Sequence, residues 1–315
     1  MRQFKENKTM KRLLTLLSFV ALTISETVTG QQVPDTDYNP LIESPAYTSG
    51  RGPVVFIDEG HFNFHTKDGR YLPFARLLEK DGYRTEGYRG AFEARKLKKG
   101  SILVISNALN EADTAIWRRP GLPAFTPEET ETVRRWVKKG GALFLIADHM
   151  PMGGAAKGLA VTFGFGFTDG FAVDTTWSGA AYFSRDAGTL SGNIITNGRN
   201  PSERVDSVVT FTGQAFTIPD DASSILQFGK NAILLVPDTT MVINRTTPRI
   251  NIENWSQVAF KKYGRGRVVV SGEAAMFSAQ LAGPHKNRMG MNSPYAKENY
   301  QLLLNIIHWL DELME

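Results

Sequence analysis

Four short apolar runs set the first constraint on the fold: VVFID (54–58), SILVIS (101–106), ALFLIAD (142–148) and RVVVSGE (267–273). Each has the length of a strand and is apolar without alternation. Such a strand needs cover on both faces, the condition met inside a parallel sheet. Segments with helical spacing lie between them. YLPFARLLEKDG stops at Gly82, and FTPEETETVRRWVKKGG carries the clearest local signal in the chain. There Thr126 takes the N-cap, Pro127 the first helical position and Glu129 closes a capping box, while Val133, Trp136 and Val137 form the apolar stripe. The alternation predicts an α/β fold with a three-layer, doubly wound, mostly parallel sheet.

Outside that frame the pattern changes. Residues 31–52 are polar, with three prolines and no period, and suit an extended N-terminal arm. The remainder, 53–315, reads as a single domain. Within it, about 157–256 is glycine-rich and broken into short β-like pieces, which suggests an insertion or an extension of the sheet. WSQVAFKKYGRGRVVVSGE reads as a hairpin turning at Tyr263 to Arg265. Ser293 and Pro294 stand where they would cap a last helix with Leu302, Leu303, Ile306, Ile307 and Leu310 on its apolar face.

The first thirty residues read as a cleaved export signal: KRLLTLLSFVALTI has a basic front and a short apolar centre, and small residues precede a cut expected near Gly30. The mature chain would then be periplasmic or secreted. Removing Arg2, Lys5, Lys8, Lys11 and Arg12 with Glu6 and Glu26 leaves 31 bases against 30 acids. That balance gives a nucleic-acid partner no electrostatic support. No apolar run is long enough for stable membrane insertion. The chain has no cysteine, so disulfides, thiol nucleophiles and thiolate metal sites are excluded.

In an open parallel sheet, ligands bind outside the carboxyl ends of the strands. The first apolar run delivers Asp58 and Glu59, followed by His61, Asn63 and His65. The second delivers Ser106 and Asn107, the third Asp148 and His149, the fourth Ser271 and Glu273. Whether the chain after Glu59 is extended or helical, His61 and His65 should share one face. A bland reading stands beside each of these: Asp58 could cap the next turn, Glu273 could cap AAMFSAQ, and either histidine could be a satisfied loop partner.

Two mechanisms suit these residue types. In one, His61 and His65, with Asp148 or His149, hold a divalent metal (zinc, iron, manganese or nickel), and Glu59 or Glu273 serves as base. In the other, Glu59, Asp148, His149 and Glu273 do acid and base work while Asp58, Asn63, Asn107 and Asn292 bind the hydroxyls of a small-molecule or glycan substrate. Both require Glu59, His149 and Glu273 to meet in one solvent-filled cavity.

Longer segments carry a resemblance: FIDEGHFNFHTKDGRYLPFARLLEKDGY, VISNAL, FTPEETETVRRWVKKGGALFLIADHMP, TNGRNPSERVDSVVTFTGQAF and GMNSPYAKENYQLLLNIIHWL. Together they resemble an uncharacterised group of exported bacterial proteins. That group is similar to the soluble domain of the gliding-motility ABC-transporter family and to trehalose-utilisation-type proteins, within the class I glutamine-amidotransferase-like superfamily. The resemblance implies a flavodoxin-like sheet and carbohydrate binding or turnover. It departs from the amidotransferases at the turn after ALFLI, where Asp148 and His149 stand in place of a cysteine, so thiol-dependent glutamine hydrolysis is excluded. The expectation is an exported carbohydrate-active hydrolase or lyase-like enzyme. The alternatives are a glycan-binding module without catalysis and an accessory subunit of an envelope transport or motility complex.

Overall fold

Each of the four apolar runs forms a strand, and each is buried along its whole length. They are Val54–Asp58 (β1), Ile102–Ser106 (β3), Ala142–Ile146 (β4) and Gly266–Ser271 (β9). The computed structural model describes residues 32–176 and 180–315; the expected export signal and its cleavage point lie outside them. Arg84–Tyr88 (β2) joins the four, and pairing is parallel throughout in the spatial order β2-β1-β3-β4-β9. Beyond β9 the direction reverses. Ser256–Tyr263 (β8) lies antiparallel to β9 with Tyr263 opposite Gly266, and Gly264 takes the left-handed turn position at φ 61°. Gly166–Phe167 (β5), Phe216–Thr217 (β6) and Ser223–Gln227 (β7) complete a mixed sheet of nine strands.

Among the described residues the four longest helices flank it: Leu72–Lys80 (α1), Pro127–Lys138 (α2), Met152–Thr162 (α3) and Asn299–Leu310 (α4). Alternate strand residues point to opposite faces. Val55, Ile57, Val104, Phe144 and Ile146 pack with α1 and α4, whereas Phe56, Leu103, Ile105, Leu143 and Leu145 pack with α2 and α3. Burial on both sides explains why these strands carry no polar alternation.

Three elements differ from the sequence reading. The glycine-rich stretch after Pro151 forms the eleven-residue helix α3, which runs into the region read as short β-like pieces. Its small residues permit close contact: a Cβ on Gly153 would meet the Gln214 side chain at 2.5 Å, and one on Gly154 would meet Asp169 at 2.7 Å. Helix α4 starts at Asn299, not beside Ser293, because the two residues at its head are held elsewhere. Glu298 accepts from the N–H groups of Asp206 and Ser207, and the Asn299 amide bonds both backbone groups of Val209. The N-terminal arm contributes a strand, with Gln32–Pro34 antiparallel to Ala279–Ala282.

Besides the three-stranded sheet of the arm, which Asn287–Gly290 completes, two small antiparallel sheets lie outside the main one among the described residues. One joins Phe171–Asp174, Ala232–Leu235 and Arg249–Asn251; the other joins Ala181–Ser184 and Ser207–Thr210. Replacing Phe144, fully buried and edge-on to Phe277 at 5.2 Å, by alanine should cost about 3–5 kcal/mol. Urea denaturation measures this, and a loss under about 1 kcal/mol would contradict the packing described.

Candidate functional site

The chain leaving β4 is pinned from three sides. Ala147 N–H donates to Ser271 O, Asp148 N–H donates to Asn107 Oδ1 at 2.9 Å, and Gln214 Nε2 donates to the carbonyls of Ala147 and Asp148 at 2.8 and 3.2 Å. Gln214 Oε1 in turn accepts from Thr168 and Asp169 N–H, so one buried amide locks the strand end to the chain beyond α3. Gln214 is preceded by Gly213 at φ 90°, where a Cβ would strike Gly272 O at 2.3 Å. This pinning presents Asp148 and His149, both half-buried, at the centre of the sheet's carboxyl edge.

His149 has a defined tautomer. Its Nδ1 lies 2.8 Å from Met150 O; a carbonyl only accepts, so Nδ1 carries a proton, and in the neutral ring Nε2 is the nitrogen with the lone pair. The ring stacks on Phe171 at 4.4 Å and adjoins Trp117 at 6.4 Å, and Trp117 adjoins Phe64 at 6.1 Å. The Arg70 guanidinium lies 3.7 Å from the Phe64 centroid, within cation–π range. A lane of rings thus crosses the strand ends from the β1 loop to the β4 turn. Of these groups, Phe64, Arg70, Trp117, Asp148 and His149 keep part of their surface in solvent.

The histidine pair expected after β1 does not form. Phe62, between them, takes φ 47°, so the segment is neither extended nor helical and the two rings part. His61 is 6% exposed and bridges two acids: Nδ1 contacts Asp58 at 2.9 Å and Nε2 contacts Glu129 at 2.9 Å. Phe92 and Phe125 flank its ring at 4.4 and 4.9 Å. Burial opposes its charge, but the bonds to Asp58 and Glu129 prevail and raise its pKa. An imidazolium with both nitrogens engaged has no lone pair for a metal.

Glu129 meanwhile completes the expected capping box with Thr126. Burial works against its ionised form too, but the bonds from His61, Thr126 and Phe92 hold its pKa below the usual range. His65 packs on Tyr71 at 4.5 Å with neither ring nitrogen bonded. Burial, with Arg70 beside it, lowers its pKa to about 3. Among the described residues no group of three or more His, Cys, Asp and Glu is arranged to hold a metal ion.

The remaining expected residues fall into separate networks. Asp58 is fully buried and accepts from His61, Gly60 and Asn63; Asn63 also donates to Ser106 O. Asp58 thus offers no solvent-facing surface to a substrate, and Asn63, half-buried, has both ends of its amide engaged within the loop. Glu59 turns toward β2, accepting from Lys67 N–H and Arg89 Nε. Glu273 is fully buried and caps the turn Ala275–Phe277, accepting from Ala275 and Met276 N–H at 2.9 and 2.7 Å. Its burial, with Asp148 nearby, pushes its carboxyl well above the ordinary range. Asn292 bonds Asp35 of the arm and Gln280 O, away from the β4 turn. Glu59, His149 and Glu273 therefore do not line one cavity. Asn107, at φ 48°, serves by fixing Asp148.

The sequence reading missed Trp117, Phe64, Phe171 and Gln214. They lie in loops or in the β-rich region, where no period marks them, and only the folded chain brings them to β4.

No family model matches the sequence, and no curated protein matches it. Solved structures do resemble the fold. The mmIFT52 N-terminal domain is similar over 82% of this chain and 96% of its own, with a TM-score of 0.56 at 12% identity. A putative ThuA-like protein from Bacteroides uniformis covers 86% of this chain and 94% of its own, with TM-score 0.43 and 12% identity. A second putative ThuA-like protein, from Parabacteroides merdae, covers 83% and 90%, with TM-score 0.43 and 10% identity. At these identities the likeness is one of fold alone: a mixed α/β domain.

The His61 bridge makes a pH-dependent prediction. A raised folded pKa contributes stability that is fully present below the unfolded value of about 6.5 and is lost as pH rises through the folded value. The stability gap between wild type and His61→Gln should therefore be wider at about pH 6 than at about pH 9, by on the order of 1–2 kcal/mol. Denaturant melts at the two pH values measure it. An equal gap at both would mean that His61 is not held between charged partners.

Proposed function

We propose that the protein is a glycan-binding module whose strand-end site takes a small polyhydroxylated ligand, with a sugar ring lying against Trp117 and hydroxyls bonded to Asp148 and His149. One observation carries this reading: Asp148 and His149 keep solvent-facing surface beside the partly exposed Trp117, whereas Glu59, equally half-buried, is held in an ion pair with Arg89. Aromatic faces with a few fixed polar groups suit ligands that are apolar across the ring and polar at the edge. The hydrolase or lyase-like alternative loses two of its acids, since Glu59 is paired and Glu273 is sealed in a cap.

The Nδ1–H tautomer of His149, whose neutral ring carries the lone pair on Nε2, favours a second reading, in which His149 acts as a general base on the same bound ligand, with Asp148 beside it. The strand order supports the flavodoxin-like description of the sheet, in which ligands sit at the carboxyl edge. The leader-like first thirty residues support export to the periplasm or beyond. Service as an accessory subunit of an envelope complex is compatible with a binding module.

Calorimetric titration of an oligosaccharide panel tests the proposal. Trp117→Ala and His149→Ala should each weaken binding by about tenfold or more, the scale of losing a central aromatic or polar anchor. Binding indifferent to both variants, or no binding across the panel, contradicts it. Product formation by wild type that vanishes in His149→Ala would select the catalytic reading.

A further inference from the structure

Trp117 is directed at the end of β4 by a hydrogen-bonded ribbon. Residues 116–119 run beside 238–242: Arg119 N–H donates to Asp238 O at 2.8 Å, Thr240 N–H donates to Trp117 O at 3.1 Å, and Arg118 pairs with Thr239. Side chains alternate along such a ribbon. Trp117, Arg119 and Thr240 share the face toward the strand ends, where Thr240 Oγ1 reaches Met150 O at 3.4 Å.

The charges on that side are unequally matched. Arg119 donates to the carbonyls of Asp169 and Thr168 at 2.8 and 3.3 Å, and Arg70 donates to Phe64 O at 3.0 Å while lying over the Phe64 ring. Carbonyls, not carboxylates, hold both guanidinium groups. Asp58 and Glu129 are paired with His61, and Glu59 with Arg89. Burial, with the charge of Asp148 nearby, drives the Glu273 carboxyl toward its neutral form. Asp148 differs from all of these. Among the described residues its carboxylate accepts one hydrogen bond, from His149 N–H to Oδ1 at 2.8 Å, and forms no ion pair. A partly solvent-exposed negative charge is left without a cation.

The surroundings favour a cation as the missing partner. A carboxylate only accepts, the neutral His149 ring has its lone pair on Nε2, and the faces of Trp117 and Phe64 carry the negative side of the ring quadrupole. At its far end the aromatic lane already holds a cation of the chain itself, Arg70 at 3.7 Å from the Phe64 centroid. The start of α3, where a helix favours anions, is taken by an acid of the protein: Gly154 N–H donates to Asp169 Oδ1 at 2.8 Å.

We infer that the ligand is a cationic glycan: an amino sugar whose protonated amine is received by the Asp148 carboxylate, with its ring against Trp117. This rests on the glycan-binding reading above and names the class of glycan. The amine supplies both the donors and the charge that Asp148 lacks. A uronic acid would instead bring a second carboxylate to one that has no partner.

The test is a calorimetric titration of the full-length protein with three β-1,4-linked trisaccharides, of glucosamine, of glucose and of glucuronic acid, at a pH that protonates the amine. The glucosamine trisaccharide should bind about tenfold or more tighter than the glucose one, the gain of a charge-assisted hydrogen bond over a neutral one. The glucuronic acid trisaccharide should bind more weakly than both. In Asp148→Asn, which keeps the shape and removes the charge, the preference for the amino sugar should disappear. An unchanged thermal melt verifies that the variant is folded, and the wild-type comparison stands without it.

Equal affinity of wild type for the amino and neutral trisaccharides, or tighter binding of the acid, overturns the inference and leaves the glycan reading intact. An amino preference that survives in Asp148→Asn puts the charge recognition elsewhere and overturns the assignment. Binding of none of the three, where a neutral glycan of the wider panel does bind, overturns it as well. No binding to any glycan sinks the glycan reading, and this inference with it.

Discussion

The site depends on the position of β4, which is hydrogen-bonded on both sides. Ile146 is in register with Ser106 of β3 and with Ser271 of β9, so the chain leaving β4 emerges between two neighbours and has no lateral freedom. The ladder continues one residue further, through Asn107 N–H to Ile146 O and Ala147 N–H to Ser271 O. The side chains of Asn107 and Gln214 then take over the carbonyls and N–H that the sheet no longer satisfies. Buried backbone groups must find partners, and meeting that need here fixes Asp148 and His149 at the middle of the sheet edge.

The same need accounts for most of the acids at the strand ends. Asp58 and Glu129 surround His61, and Glu273 caps a short turn from inside the core. An acid removed from water is tolerated where N–H donors or a cation replace the lost hydration, or where, as burial does at Glu273, the neutral form is favoured. Polar residues converging on one edge are therefore consistent with loop anchoring as well as with chemistry. What separates the two here is access: the anchors are sealed, and Asp148 and His149 are not.

Much of the frame was legible in the sequence because it rests on local rules. Apolar runs without alternation became parallel strands, and the Thr126–Glu129 capping box is present as its spacing suggested. The site was legible only in part. Period and helical spacing both put His61 and His65 on one face, but the left-handed Phe62 belongs to neither pattern. The bland reading of Glu273 as a turn cap describes its bonds. Helix α3 was hidden because glycines that weaken helix propensity serve close packing against Gln214 and Asp169. Trp117 reaches His149 through a ribbon formed with residues more than a hundred positions away, a contact that carries no local signal.

The central claim is that ligand meets the protein at the end of β4. The most direct measurement is a chemical-shift map, by nuclear magnetic resonance, of the glycan fragment that binds best, followed at the Trp117 indole N–H and the His149 ring. The account predicts that these signals move together, with the Gln214 amide responding at the same ligand concentration. Shifts confined to the polar groove of about 990 Å³ between the two small sheets, near Arg185 and Lys230, with Trp117 and His149 unmoved, would contradict it.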